Sequence, residues 1–140
     1  MIVGFTGTEH GMNTRQQEEV RNFFRRYSHK SCPFPITEVH HGDCVGADEQ
    51  FHNIAKELGI YIVVHPPSNK RLRAFCDADE VRRPYAYLTR NRHIVDACDR
   101  LIATPYELVE VVRSGTWATI RYARKIRKPH GIIYPFPIEK

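Results

Sequence analysis

The chain has 140 residues, 41% of them hydrophobic and 26% charged. That composition fits a single globular domain over 1–140 and excludes a disordered or low-complexity chain. No apolar run reaches the length of a membrane span, and a net charge of +5 favours anionic partners without choosing among phosphates, nucleic acid and anionic lipid. The four cysteines, Cys32, Cys44, Cys76 and Cys98, form no C-x-x-C pair, so reduced thiols are expected rather than a disulfide framework or a zinc knuckle.

Met1–Thr6 reads as a short strand buried on both faces and closed by Gly7. It lacks the basic start and longer apolar stretch of a cleavable signal, so a cytoplasmic protein is expected. Thr14 stands three residues before Gln17, the spacing of a capping box, and Val20, Phe23, Phe24 and Tyr27 make the apolar stripe of the helix that follows. Pro33 and Pro35 close this unit. Ile36–His40 is predicted as the second strand, His41–Gly46 as a tight loop and Ala47–Leu58 as a helix stopped by Gly59.

Ile60–His65 is the third predicted strand, ended by Pro66 and Pro67. Ser68–Pro84 is polar, basic and without a period, a long loop of the kind that is usually functional. Tyr87–Ala97 and Gly115–Ile126 read as helices, and Arg100–Thr104 and Gly131–Tyr134 as strands before a proline-rich tail. Strands alternating with helices predict an α/β, Rossmann-like, doubly wound parallel sheet of about five strands with helices on both faces.

In such a sheet the ligand lies beyond the carboxyl ends of the strands, where strand order reverses. The loops expected there are Gly7–Asn13, His41–Asp48, Pro66–Pro84 and Thr104–Thr116. In the first, Gly7, Thr8 and Gly11 either permit a tight turn or let backbone N–H groups approach an anion. In the second, between Gly42 and Gly46 and the next helix, Asp48 either caps that helix or accepts from a ribose hydroxyl. In the last, Ser114, Gly115 and Thr116 either cap a helix or hold phosphate oxygens. Arg90 offers a bidentate guanidinium, and Asn91 can both donate and accept.

With these residues in order, the chain resembles the SLOG superfamily, the Rossmann-like group that includes LOG phosphoribohydrolases and the DNA-processing protein Smf/DprA. The nearest branch is the small YspA/YpsA-related SLOG proteins. The segments that carry the resemblance are GFTGTEHGM, HHGDCVGAD, RNRHIVDACDRLIA and RSGTWATIRYARK, spread over nearly the whole chain. The resemblance implies a nucleotide or nucleotide-derived ligand and a sensor or scavenger, often tied to phage conflict, with a homo-oligomer in prospect. By motif, the contacts it implies are Gly7, Thr8, Gly42, Gly46, Asp48, Arg90, Asn91, Ser114, Gly115 and Thr116.

LOG enzymes carry a glutamate three residues after the threonine of P-G-G-x-G-T; here Thr119 occupies that position. Threonine cannot serve as an acid or base near neutral pH. Hydrolysis of a nucleoside phosphate at its N-glycosidic bond, the alternative enzymatic reading, therefore needs a substitute among Glu9, Asp43, Glu107 and Glu110. His10, His40, His41, His65 and Cys44 have metal-binding chemistry but no diagnostic spacing, so no metal and no cofactor is expected. Arg121, Arg124, Lys125, Arg127 and Lys128 suit either a nucleic-acid backbone or the C-terminal end of a helix dipole. A nucleotide-like small molecule is the expected partner, nucleic acid the alternative, and a membrane is not expected.

Overall fold

A computed structural model describes residues 1–29 and 31–137; the last three residues of the proline-rich tail, 138–140, lie outside the described residues. The elements run in order as β1 (Ile2–Gly7), α1 (Thr14–Tyr27), β2 (Glu38–His41), α2 (Ala47–Glu57), β3 (Tyr61–Val64), β4 (Glu80–Val81), α3 (Tyr87–Ala97), β5 (Arg100–Thr104), α4 (Gly115–Lys125) and β6 (His130–Ile132). All strand pairs are parallel, in the order β4-β3-β2-β1-β5-β6. The chain winds outward from β1 to β4 and returns to β5 on the other side of β1. Strand order therefore reverses between β1 and β5, whose last residues, Gly7 and Thr104, are register partners.

Alternation along the strands sorts the two faces. Val3 and Phe5 of β1, Val39 of β2 and Ile62 and Val64 of β3 bury against Val20 and Phe24 of α1 and Phe51, Ile54 and Ala55 of α2. On the opposite face Ile94 and Val95 of α3 pack on Leu101, and Trp117 and Ile120 of α4 on Ala103. Gly4 faces α3, where a Cβ would come within 2.8 Å of Cys98 Sγ. Helices on both faces of a parallel sheet are the expected architecture.

Two details differ from the sequence reading. The sheet has six strands rather than five, because Ser68–Pro84, read as one loop, contains a single 3-10 turn at Lys70–Leu72 and the edge strand β4; a strand of two residues has no period to detect. The capping box is Asn13 with Gln16, not Thr14 with Gln17: Gln16 N–H donates to Asn13 Oδ1 at 2.8 Å and Asn13 N–H to Gln16 Oε1 at 3.1 Å. Gln16 fixes this register because it is buried and its Nε2 also donates to the carbonyls of Pro105 and Ile133, at 2.8 and 2.9 Å.

The β1–α1 and β2–α2 loops interlock. Gly46 has φ +91°, and a Cβ there would strike the backbone of Glu9, while the Ala47 N–H donates to Thr8 O at 3.0 Å. Gly59 has φ +69°, but a Cβ there would meet nothing within 4 Å. Gly59→Ala should therefore cost about 1 kcal/mol, the strain of a left-handed residue alone. Gly46→Ala should cost more than about 3 kcal/mol, since strain and overlap add. Urea denaturation of the two variants checks this; equal losses would contradict the interlock.

Candidate functional site

Beyond the carboxyl ends of β1, β3 and β5 a cleft of about 340 Å³ opens at the reversal of strand order, in the size range of small-ligand sites. Gly7, Thr8 and Glu9 form one wall, and Ser114, Gly115 and Thr116 at the start of α4 form the opposite one. Ser114 is the N-cap of α4, its Oγ accepting from Trp117 N–H at 3.2 Å. The Gly115 and Thr116 N–H groups and the Thr116 hydroxyl make no hydrogen bond to any described residue. A helix start with free amides concentrates positive potential on this wall. Arg113, an exposed residue, adds a cation at the mouth.

Thr8 serves its own loop. Its N–H donates to Thr104 O at 3.1 Å, and its hydroxyl accepts from His10 N–H at 3.1 Å. Gly7 is required by packing, since a Cβ would sit 2.5 Å from both Ala47 Cβ and Thr104 Oγ1. Gly115 is bare because the Tyr87 hydroxyl occupies the space of a side chain.

From the floor of the cleft a pit of about 20 Å³ descends between α2 and α3; Gly7, Glu9, Leu72 and Tyr87 line both spaces. Its walls include Gly42, Cys44, Asp48, Arg90 and Asn91. Arg90, 2% exposed, donates through Nη1 to the carbonyls of Gly42 and His65 and through Nε to Asn91 Oδ1 at 2.8 Å. The guanidinium thus joins α3 to the ends of β2 and β3. Gly42 must lack a side chain, because a Cβ would lie 2.5 Å from that guanidinium.

Asp48 does not cap α2, whose N-cap is Gly46. It is buried and accepts from Cys44 N–H at 3.2 Å. Loss of hydration raises its carboxyl to about 6, against the opposing pull of Arg90. Burial also pushes the Cys44 thiol up to about 11, so it is protonated at neutral pH and is a poor nucleophile.

The acids weighed as substitutes for a catalytic glutamate separate. Asp43 is fully buried, paired with Arg73 at 2.8 Å and bonded to Cys76 N–H at 2.8 Å. Glu110 lies outside the cleft and pairs with Arg121 and Arg124 at 3.2 and 3.1 Å. Glu107 lines the cleft while accepting from Trp117 Nε1 at 3.2 Å, and Glu9 lines both cleft and pit. Thr119 is buried and bonds back to Gly115 O at 2.8 Å.

Histidines form two buried chains rather than one cluster. Glu38 bonds His40, and His40 Nδ1 lies 2.8 Å from His65 Nε2. Separately, His41, His52 and Cys76 bring ligand-type atoms within 4.8 Å of one another. Asp43 N–H donates to His41 Nδ1 at 3.0 Å, so neutral His41 carries its proton on Nε2 and donates it to His52 Nδ1 at 2.9 Å. A metal at His41 Nε2 would require a proton on Nδ1, facing a backbone donor. His41 and His52 are wired as a hydrogen-bond chain that starts at the Asp43 amide.

Tyr87, Ser68, Asn69, Leu72 and Arg113 also line the cleft, and none was among the expected contacts. The length of the Ser68–Pro84 loop was the signal for three of them; Tyr87 carried none. Of the basic residues near the end of α4, Arg121 and Arg124 are paired with Glu110 and Lys128 donates to Cys98 O.

Solved structures share this architecture. The molybdenum cofactor binding protein of Rippkaea orientalis superposes with a TM-score of 0.71 at 19% identity, over 95% of this chain and 76% of that one. The likeness is one of fold. DNA processing protein A of Streptococcus pneumoniae gives 0.62 at 19% identity, over 98% of this chain and 50% of its own, and the Moco carrier protein of Chlamydomonas reinhardtii 0.58 at 16%, over 94% and 75%. No protein-family model and no curated protein matches the chain. No helix among the described residues is long and apolar enough to cross a membrane.

The titrating groups give stability a defined pH dependence. Burial lowers His65 from 6.5 to about 3 and lowers His41 and His52 as well. Below pH 6.5 the unfolded chain takes up protons that these histidines refuse in the fold, so stability is lost as pH falls towards 3. Asp48 acts oppositely between about 6 and 3.8, where the fold holds the extra proton. Three lowered histidines against one raised carboxyl leave a net uptake of protons on unfolding, so stability falls with acidification. Guanidinium titrations between about pH 7.5 and 4.5 should show this fall; a flat profile would contradict the neutral histidines.

Proposed function

We propose that the protein binds a nucleotide or nucleotide-derived small molecule in the cleft between β1 and β5, as a sensor or scavenger. The observation that carries this reading is the pair of free amides at Gly115 and Thr116, facing Gly7 and Thr8 across a cleft of about 340 Å³. A phosphate there gains two backbone donors, the Thr116 hydroxyl and the helix dipole, with Arg113 in reach of the mouth. Gly42, Gly46, Asp48, Arg90 and Asn91 then shape the floor rather than grip the phosphate.

The structural neighbours divide between binding a small cofactor and processing DNA, so the fold alone does not choose. Charge placement favours the small molecule. The basic residues that would follow a nucleic-acid backbone are partly neutralised by Glu110, and each backbone contact needs a free cation. Thr119 lies inside the α3–α4 packing and supplies no acid or base, which supports binding over glycosidic hydrolysis.

Thermal melting tests this directly. A nucleotide phosphate present at about a hundredfold its dissociation constant should stabilise the fold by roughly 2.7 kcal/mol, a rise of several degrees. Thr116→Val should weaken binding about tenfold, the worth of one hydrogen bond to a charged group. Replacing Arg121, Arg124 and Lys125 together with alanine should leave mononucleotide affinity nearly unchanged. No shift with any nucleotide, together with DNA binding abolished in the triple variant, would overturn the proposal. Arg90→Ala is unsuited to this test, because it unfastens α3 from two strand ends.

A further inference from the structure

We infer that the pit under the cleft is a subsite for one hydroxyl group of a phosphorylated sugar, read by Asp48, so that the protein distinguishes ribose from deoxyribose. The inference rests on the cleft being the ligand site. It adds which part of the ligand the site reads.

Size decides the occupant. At about 20 Å³ the pit is too narrow for a purine, a pyrimidine or a sugar ring, and it has room for one water-sized group. It is polar: Asp48, Arg90 and Asn91, each buried, converge on it with Glu9 and Cys44. It is also continuous with the cleft through the walls they share at Gly7, Glu9, Leu72 and Tyr87. A ligand whose phosphate sits on the start of α4 can therefore send a single protruding group into the pit while its rings stay in the cleft.

Hydrogen bonding decides the chemistry of that group. A carboxylate offers about four acceptor positions. The Cys44 N–H at 3.2 Å takes one at Oδ2. The positions left over need a donor from whatever fills the pit, since a buried acceptor left unmatched is costly. Beside it, Arg90 Nε uses Asn91 Oδ1, which leaves the Asn91 amide N–H groups as donors. A hydroxyl satisfies both requirements, donating to Asp48 and accepting from its neighbours. A methyl group, or a hydrogen in place of the hydroxyl, satisfies neither.

Calorimetric titration with the ribonucleoside 5′-monophosphates and their 2′-deoxy and 3′-deoxy counterparts tests the inference. For each base that binds, one of the two deoxy forms should bind about tenfold or more weakly than the ribo form. In Asp48→Asn, which keeps a carbonyl for the Cys44 N–H but removes the charged acceptor, the ribo form should fall to the level of that deoxy form. The deoxy form itself should bind as it does to the unaltered protein. Ribo and both deoxy forms binding equally well to the unaltered protein would overturn the subsite while leaving nucleotide binding standing; this comparison needs no variant to fold. Discrimination that survives in a folded Asp48→Asn would overturn the assignment to Asp48. Failure of every nucleotide to bind would remove the reading on which the inference rests, and the inference with it.

Discussion

A buried guanidinium must have partners, and the arrangement of this site follows from how Arg90 finds them. At 2% exposure an unsatisfied charge of this kind is prohibitive. Arg90 is matched by the carbonyls of Gly42 and His65 and by Asn91 Oδ1, with the Asp48 carboxylate close enough for the guanidinium to bias its acidity. Those partners come mainly from the ends of β2 and β3, so one side chain of α3 holds two strand ends and the β2–α2 loop in a fixed relation. Gly42 has no side chain because the guanidinium passes over it. The pit is the space this arrangement leaves.

The other side of the site is built without charge. The β1–α1 loop is fixed by backbone bonds from Thr8 to Thr104 and from Ala47 to Thr8, and by the packing of Gly7 on Ala47 and Thr104. The start of α4 is fixed by the Ser114 cap, with Tyr87 filling the space over Gly115. The cleft consequently has two chemically distinct regions, one of free amides and a hydroxyl, one of buried acid, amide and guanidinium. Preorganised donors and acceptors lose little entropy when a ligand arrives, which is why such walls can be selective with few contacts.

The strand–helix alternation and a parallel sheet with helices on both faces were legible in the sequence, because they rest on apolar period and on glycine and proline punctuation. Ser114, Gly115, Thr116, Gly7 and Thr8 were legible as residues of the cleft edge for the same reason: they close strands and open helices. The role of Arg90 was not. A sequence records that an arginine is present, and burial decides whether it grips a ligand or a carbonyl. Asp48 was ambiguous on the same ground, since its acidity depends on burial and on the opposing charge of Arg90 from α3. The capping register turned on Gln16, whose decisive partners, Pro105 and Ile133, are 89 and 117 positions away. β4 has two residues and no pattern of its own; pairing with β3 creates it. Tyr87 reaches the cleft because α3 starts beside α4, a fact of tertiary packing alone.

The claim that a ligand phosphate sits on the start of α4 is tested most directly by amide chemical-shift mapping. Uniformly nitrogen-15-labelled protein would be titrated with a ribonucleoside 5′-monophosphate. The account predicts that the largest and earliest shifts fall on the Gly115 and Thr116 amides, which have no partner among the described residues, with smaller ones at Thr8 and Glu9 across the cleft. Shifts confined to the Arg121–Lys128 segment, or none at Gly115 and Thr116 while the nucleotide binds elsewhere, would contradict it.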